Sequence, residues 1–175
     1  MPVLAREVIE KLLWRRDGVY VDATVGGGGH ARLLLEHAGR QARLIALDQD
    51  PNALEAAKEA LKDKASQVVF IHSNFVHLER VLTERKVVPV DGILFDLGVS
   101  SPQLDVPQRG FSYRHDAPLD MRMDPAAAVT AADLIASLPE RELARIISEY
   151  GEERWARRIA KFIVEERRRS PITST

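Results

Sequence analysis

Four consecutive glycines, Gly26 to Gly29, follow an acid and a hydroxyl at Asp22 and Thr24. Glycine has no Cβ, so a ligand can lie directly against main-chain N–H groups in such a stretch. The residues before Asp22 form a short β-branched run, and helix-compatible residues begin at Ala31. The glycines are therefore predicted to turn the chain from a strand into a helix, next to a bound ligand.

The spacing of this stretch leaves two cofactors open. Gly26, Gly28 and Ala31 fit the loose G-x-G-x-x-G/A pattern of dinucleotide-binding proteins, which leaves an NAD-dependent oxidoreductase as an alternative. An acid four residues before the first glycine is more typical of enzymes that bind S-adenosylmethionine, where it lies near the methionine end. We therefore predict S-adenosylmethionine as the cofactor. A glycine-rich connector without a ligand is the remaining interpretation.

A second stretch whose side chains could take part in a reaction begins at Asp96 and continues through Ser100 and Ser101 to a proline. Enzymes that methylate amines commonly carry a short polar motif with a proline at this point. The exocyclic amine of a base is a poor nucleophile, because its lone pair is delocalised into the ring. An acceptor that holds the amine N–H groups favours the form that attacks, and positioning supplies much of the rest. Asp96, Ser100 and Ser101 are the candidate acceptors.

The elements that must position these groups alternate between short apolar strands and amphipathic helices. An α/β fold with a Rossmann-like parallel sheet and right-handed crossovers is therefore predicted. The predicted strands begin at Val19, Arg43, Val68 and Val90 and end at Asp22, Asp48, His72 and Leu97. The predicted helices of this part cover residues 3–14, 31–38, a segment starting at the cap Asp50 and Pro51, and 76–85.

In an open α/β sheet, ligands bind beyond the carboxyl ends of the strands. Asp48 ends the second strand, where an acid pairs with ribose hydroxyls. Phe75 follows the third strand and is predicted to pack against an adenine ring, although a place in the core is an equal alternative. Asp96 ends the fourth strand and is expected to point into the same crevice as Gly26–Gly29.

After Gly98 the sequence predicts a long loop, over residues 98–125, and then helices to the end. Thr130 is the predicted cap of a helix over 131–137, Pro139 opens a second helix, and residues 152–169 form a third. The third helix carries seven Lys/Arg against four Asp/Glu, with Trp155, Ile159, Phe162 and Ile163 recurring on one face. Taken alone, this charge is typical of a solvated helix face.

Bulk composition excludes several classes of protein. The net charge of −1 neither requires nor excludes a nucleic-acid partner, and the absence of cysteine excludes disulfides and thiolate metal sites. The five histidines are scattered, so no metal site is expected from them. Charges within residues 1–13 match neither a signal peptide nor a membrane span, so a cytoplasmic protein is expected.

Read together, the motifs resemble the RsmH (MraW) family over the whole chain. Five stretches carry the resemblance: Asp22-Ala-Thr-Val-Gly-Gly-Gly-Gly-His30, Phe95-Asp-Leu-Gly-Val-Ser-Ser-Pro-Gln-Leu-Asp105, Arg109-Gly-Phe-Ser-Tyr113, Pro118-Leu-Asp-Met-Arg-Met-Asp124 and Tyr150-Gly-Glu-Glu-Arg-Trp-Ala-Arg-Arg-Ile-Ala160. The resemblance implies S-adenosylmethionine-dependent N4-methylation of a cytosine in the decoding region of bacterial small-subunit (16S) rRNA. The small ribosomal subunit is then the expected partner, without a membrane.

The resemblance also implies a set of cofactor contacts. They fall on Gly28, Gly29, His30, Asp48, Phe75, Asp96 and Gln103. His30 and Gln103 are added by the resemblance alone, and the other five were already candidates from their positions. The helices after Thr130 resemble the family's inserted RNA-facing subdomain. The resemblance therefore implies that the loop 106–122 and the helix over 152–169 form the RNA-facing surface.

Family members are longer, and after the helical insert they return to the sheet. We therefore expect an incomplete sheet of about four strands over residues 1–104, with a loop and helical recognition subdomain over 105–175. Either the chain is a fragment, or a second copy of it covers the exposed fourth strand as a homodimer. A non-catalytic remnant that only binds cofactor or RNA is the alternative function.

Overall fold

The computed structural model describes residues 2–175, and these divide into two compact units, which meet between Gly98 and Val99 in the sequence. The domain boundary expected after residue 104 lies a few residues beyond this division. Each unit is described by itself. None of the helices described for residues 2–175 has the length and apolar character that crossing a membrane requires.

The first unit is built on a four-stranded parallel sheet, which confirms the predicted Rossmann-like class. Its strands are β1 (Val19–Asp22), β2 (Arg43–Asp48), β3 (Val68–His72) and β4 (Gly92–Leu94), in the order β3-β2-β1-β4. In the register, Asp22 lies opposite Ala46 and Leu94, and Asp48 lies opposite His72. All four strands run in one direction, so the acids that end β1 and β2 share one edge of the sheet.

Helices cover both faces of this sheet. They are α1 (Ala5–Leu12), α2 (Gly29–His37), α3 (Pro51–Ala60) and α4 (Leu78–Glu84), with 3-10 turns at Lys62–Gln67 and Phe75–His77. Successive side chains of β1 lie on opposite faces of the sheet. Tyr20 packs with Leu34 and Leu35 of α2, whereas Val21 packs with Val81 of α4. Asp50 caps α3 as predicted, because its side chain accepts the Asn52 N–H at 3.0 Å.

The fourth strand is shorter than the sequence predicted. It covers Gly92–Leu94 rather than residues 90–97, and it is an outer strand of the described sheet. After Leu94 the chain leaves the ladder, since the next polar contact of the main chain is Asp96 N–H to the Thr24 hydroxyl at 2.7 Å. The prediction extended the strand because residues 93–97 are apolar apart from one acid. That apolar run is instead half-exposed at Ile93 and Phe95.

The second unit contains helices α5 (Ser101–Asp105), α6 (Ala131–Ser137), α7 (Glu140–Glu149) and α8 (Ala156–Arg167). The predicted bounds of α6 and its Thr130 cap are confirmed, since the Thr130 hydroxyl accepts the Asp133 N–H. The predicted start of α8 at residue 152 is wrong. Glu152 has φ +52°, outside the helical region, and the Glu153 carboxylate accepts the Trp155 N–H just before the helix begins.

The long loop predicted over 98–125 is also corrected, because α5 and a 3-10 turn at Pro107–Arg109 lie within it. The part that follows is held by its own side chains. The Arg109 guanidinium donates to the carbonyls of Arg122 and Met123, at 2.9 and 3.0 Å. Arg122 in turn pairs with Asp120 at 2.6 Å, which holds the pKa of that carboxyl below its usual range. This loop is therefore ordered by buried and half-buried contacts rather than by regular structure.

Candidate functional site

The glycine turn, residues 23–28, connects β1 to α2 at the carboxyl edge of the sheet. Gly26 and Gly28 have φ values of +52° and +81°, which side chains rarely adopt. A Cβ on Gly28 would also lie 3.3 Å from the Cα of Ala57 in α3. Glycine at position 28 is therefore required twice, by its backbone conformation and by close packing. A Cβ on Gly27 would meet no atom within 4 Å, so the turn presents an open backbone there.

Asp48 ties the glycine turn to the end of β2. Its Oδ2 accepts the Gly26 N–H and its Oδ1 accepts the Asp50 N–H, both at 2.9 Å. Each carboxylate oxygen has two acceptor positions, so capacity remains for further donors such as ribose hydroxyls. Asp48 is half-buried, whereas Asp50 is buried and caps α3. The two acids thus have the separate positions that the sequence predicted for them.

Asp22 is a buried carboxyl beneath the same turn, with 3% of its surface exposed. Burial raises its pKa from 3.8 to about 7, against the opposing effects of the Thr24 N–H, which donates to Oδ1 at 3.2 Å, and of His30. The carboxylates of Asp48 and Asp96 add to the rise. Asp22 is therefore poised to change its charge near neutral pH when a cation arrives.

His30 begins the first turn of α2 and contacts two other segments. Its Nε2 lies 2.8 Å from the carbonyl oxygen of Val3, and its Nδ1 lies 3.6 Å from the Oδ2 of Asp96. The ring is buried, whereas about half of the Asp96 side chain is exposed. The structure thus brings His30 and Asp96 together, and the resemblance had assigned both to the cofactor.

Phe75 begins the 3-10 turn after β3, with 38% of its surface exposed, so it is not a core residue. Its ring meets the ring of Phe95 edge-to-face, with centroids 5.7 Å apart. Phe95 follows β4, so the contact joins the segments that follow the two outer strands of the described sheet. The sequence analysis missed Phe95 as a site residue, although an aromatic beside Asp96 at a strand end was a usable signal.

Three of the predicted site residues, Ser100, Ser101 and Gln103, lie in the second unit, at the start of α5. Gln103 is buried with 6% of its surface exposed, and its Oε1 accepts the Ser100 N–H at 2.9 Å. Gln103 therefore fixes the first turn of α5, a structural task that the sequence analysis did not anticipate. Ser101 is exposed.

The charge of the site tests which cofactor fits. Asp48 and Asp96 lie close enough to Asp22 to raise the pKa of its carboxyl group. His30 has the opposite effect and lowers that pKa. Such a cluster attracts a cationic group, and S-adenosylmethionine carries a sulfonium and an ammonium. It repels the negative pyrophosphate of a dinucleotide. The residues present therefore fit S-adenosylmethionine better than NAD.

Among residues 2–175 no group of three or more His, Cys, Asp or Glu residues has an arrangement that could hold a metal ion.

A second surface that could bind a ligand is formed by α8 and the two residues just before it. Trp155 and Phe162 are more than half-exposed, and guanidinium groups lie over both rings. The Arg154 guanidinium carbon is 5.7 Å from the centre of the Trp155 ring, and that of Arg158 is 5.5 Å from the Phe162 ring. The face predicted from periodicity is thus divided, because only Ile163 of that set packs against the core around Leu143, Ala160 and Val164.

The sequence of the chain is similar to known proteins over its whole length. Residues 1–175 match the MraW methylase family. The chain is 54% identical over 176 residues to a ribosomal RNA small subunit methyltransferase H of Heliobacterium mobile, covering all of this chain and 56% of that protein. It is 53% identical over 173 residues to the protein of the same name from Geotalea daltonii, covering 99% of this chain and 55% of that protein.

The chain thus spans about half the length of the curated relatives it matches. Among solved structures, it is similar to an rRNA methylase from Streptococcus thermophilus, with a TM-score of 0.43 and 22% identity over 54% of this chain and 52% of that one. The family match covers every residue from 1 to 175 and includes the glycine turn, Asp48 and Asp96. By its sequence, this chain belongs to the MraW methylase family.

Proposed function

We propose that this chain takes part in the S-adenosylmethionine-dependent N4-methylation of a cytosine in bacterial small-subunit rRNA. The observation that carries the proposal is the ring of acids around the glycine turn. Asp22, Asp48 and Asp96 surround a backbone that is open at Gly27, within a chain of the MraW methylase family. Relatives about half identical to it are named as methyltransferases of small-subunit rRNA.

The cofactor is proposed to lie along the carboxyl edge of the sheet. Asp48 binds the ribose hydroxyls, and Phe75 packs against the adenine with the exposed part of its ring. Gly28 and Gly29 bring the main chain close to the cofactor, with His30 beside them. S-adenosylmethionine supplies a methyl group on a positively charged sulfur, and the nearby carboxylates attract that charge and so favour binding of the cofactor. Gln103 completes the proposed set from α5, with the amide that its bond to Ser100 leaves able to donate.

Asp96 is proposed to hold the target amine. Its main chain is fixed by the bond from its N–H to the Thr24 hydroxyl, and half of its side chain is exposed to a substrate. A carboxylate accepts amine N–H groups and favours the form of the nitrogen that attacks. Ser100 and Ser101, four and five residues further along the chain, are the proposed assistants. Because a base amine inside a stack cannot be reached, an exposed or flipped cytosine is the expected substrate.

The RNA-facing surface is proposed to include the loop 106–122 and the helix region 152–169. The basic residues proposed for it are Arg109, Arg114, Arg122, Arg154, Arg157, Arg158 and Lys161. Arg109 and Arg122 already donate to groups within the loop, so they shape it more than they add charge. The proposal therefore depends on α8 and the residues just before it. There, exposed aromatic rings next to arginines have the composition of surfaces on which single-stranded bases stack.

Two further proposals follow from the substrate and from the sheet. A cytoplasmic location is proposed because ribosomal subunits are the expected substrate. Association of two copies through β4 is proposed because Ile93, on an outer strand of the described sheet, is 40% exposed.

A chimera tests the proposed function. Residues 1–175 of this chain replace the matching segment of the Heliobacterium mobile relative, which supplies the remaining length. The purified chimera is then given radiolabelled S-adenosylmethionine and small subunits from a strain without the modification. Transfer of label to cytosine N4 is the expected result, with the unmodified relative as positive control. Asp96→Asn in the chimera should reduce the rate by about 10²–10³. A folded chimera that binds cofactor and transfers no label would contradict the proposal.

A further inference from the structure

The hydrogen on the His30 ring is located by its partners. Nε2 lies 2.8 Å from the Val3 carbonyl oxygen, which can only accept a hydrogen bond. Nε2 must therefore carry a hydrogen, and in the neutral ring Nδ1 is left with a lone pair. The contact with the main chain of the N-terminal segment thus fixes the tautomer as well as the orientation of the ring.

The lone pair at Nδ1 faces a carboxylate rather than a donor. Nδ1 is 3.6 Å from the Asp96 Oδ2, slightly beyond an ordinary hydrogen bond. Two acceptors do not attract each other, so this contact becomes favourable only when a proton lies between them. His30 and Asp96 can therefore share one added proton. When that proton is present, the contact between Nδ1 and Oδ2 becomes a hydrogen bond.

The surroundings of the pair favour this use. His30 is buried, whereas half of the Asp96 side chain is exposed, so a substrate amine reaches Asp96 first and His30 stands behind it. Asp22, on β1, also lies close enough to interact with His30, and the ring lowers the pKa of that carboxyl against the larger effect of burial. From the N-terminal segment the ring is faced by the Val3 carbonyl.

We propose that His30 and Asp96 accept the proton that the target amine gives up, with His30 as the positioning residue behind Asp96. The inference rests on the proposed function. A bond forms between the amine nitrogen and the methyl carbon, while the carbon–sulfur bond breaks and its electron pair stays on sulfur. The nitrogen then loses one proton to the Asp96 carboxylate. That proton is shared with Nδ1 of His30, and solvent removes it after product release.

Two substitutions separate this role from a purely structural one. In His30→Gln, the amide reaches the Nε2 position and keeps a donor for the Val3 carbonyl, but nothing accepts a proton behind Asp96. In His30→Asn, a polar amide faces Asp96, but the Val3 carbonyl loses its donor. A proton-sharing role predicts that both variants lose turnover, because neither amide accepts a proton, whereas an anchoring role predicts a loss in His30→Asn and little change in His30→Gln.

The test is made in the active chimera, by steady-state kinetics on small subunits. We expect His30→Gln to lower kcat by about 10–100-fold with KM within roughly threefold of the parent, in the lower range of proton-transfer effects. The unfolding midpoint of His30→Gln should stay close to that of the parent, whereas His30→Asn should lower the midpoint and lose turnover as well. Equal kcat for His30→Gln and the parent would overturn the proposal.

A second readout does not depend on activity. Nitrogen-15 NMR of the 175-residue chain, recorded at a pH at which the His30 ring is neutral, should show the ring hydrogen on Nε2. The Nδ1 resonance of His30 should change in Asp96→Asn and stay unchanged in Asp105→Asn, which alters an exposed acid of the second unit. A hydrogen on Nδ1, or an Nδ1 resonance that ignores Asp96, would contradict the pair. An inactive parent chimera would instead count against the proposed function and leave the NMR result to decide the pairing.

Discussion

Replacing Asp22 with asparagine should remove a pH dependence from the stability of the first unit. Asp22 is 3% exposed, and burial is the main reason that its pKa is raised to about 7. Asparagine has nearly the same shape and keeps an oxygen for the Thr24 N–H, which lies 3.2 Å from Oδ1. The substitution therefore removes the titration while it leaves the hydrogen bond and the packing in place.

The size of the effect follows from the difference between the folded and unfolded pKa values. An acid whose pKa is raised on folding contributes stability that is fully present below pH 3.8 and is lost as the pH rises to about 7. Between pH 5 and pH 7 the loss is roughly 2 kcal/mol, because the full slope of about 1.4 kcal/mol per pH unit falls off as the pH reaches the folded-state pKa, and the remainder is lost above pH 7. The asparagine variant has no such loss. Relative to the parent, it should thus gain roughly 3 kcal/mol between pH 5 and pH 8.5.

Urea unfolding at pH 5, 7 and 8.5 measures this difference. The chain has two tryptophans, so a Trp155→Phe background leaves Trp14, in the first unit, as the reporter. Asp105→Asn, at an exposed position of the second unit, is the matched control and should follow the parent at every pH. If the parent and Asp22→Asn differ by the same free energy at all three pH values, burial of a titrating Asp22 is refuted.

The remaining predictions concern the glycine turn, the RNA surface and the cofactor. Gly28→Ala should lower the free energy of unfolding by about 1–2 kcal/mol or more, because of its positive φ and the 3.3 Å approach to Ala57. Thermal unfolding should show Gly27→Ala as the milder change, and equal losses would contradict the packing argument. The double substitution Arg157→Ala, Arg158→Ala should flatten the salt dependence of RNA affinity by a slope of roughly 1.4, without changing cofactor affinity. Arg145→Ala is the control, because Arg145 is already paired with Glu142 and Glu149. An unchanged slope in the double variant would show that Arg157 and Arg158 belong to a solvated helix face. Cofactor binding near pH 7 should release protons from Asp22, so the calorimetric binding enthalpy should depend on the ionisation enthalpy of the buffer. Asp22→Asn should remove most of that dependence. Equal buffer dependence in the parent and in Asp22→Asn would contradict the proton release.

Local sequence signals were sufficient for much of the first unit and for one helix cap of the second unit. The bounds of β2 and β3, the cap at Asp50 and the cap at Thr130 are all as predicted, because each depends on residues within a few positions of one another. The shared edge of the strand-ending acids also followed from the parallel order.

Contacts between distant residues could not be read from the sequence. The bond between His30 and the Val3 carbonyl joins positions 27 residues apart, and the pairing of Phe75 with Phe95 depends on where two loops meet. Periodicity grouped Trp155 with Ile163, but it does not show which part of an apolar face a neighbouring helix covers. The strand β4 ends early where the Asp96 N–H bonds to the Thr24 hydroxyl, and α8 begins late because Glu152 has a positive φ. Residue propensities indicate neither of these features.

Calorimetric titration of the 175-residue chain with S-adenosylmethionine tests the central claim most directly. The account predicts a saturable 1:1 interaction with S-adenosylmethionine and none with NAD at the same concentrations. Asp48→Ala should weaken that interaction by roughly 10–100-fold, as loss of a charged hydrogen-bond partner does. Binding of NAD without S-adenosylmethionine, or unchanged affinity in a folded Asp48→Ala variant, would contradict the site as described.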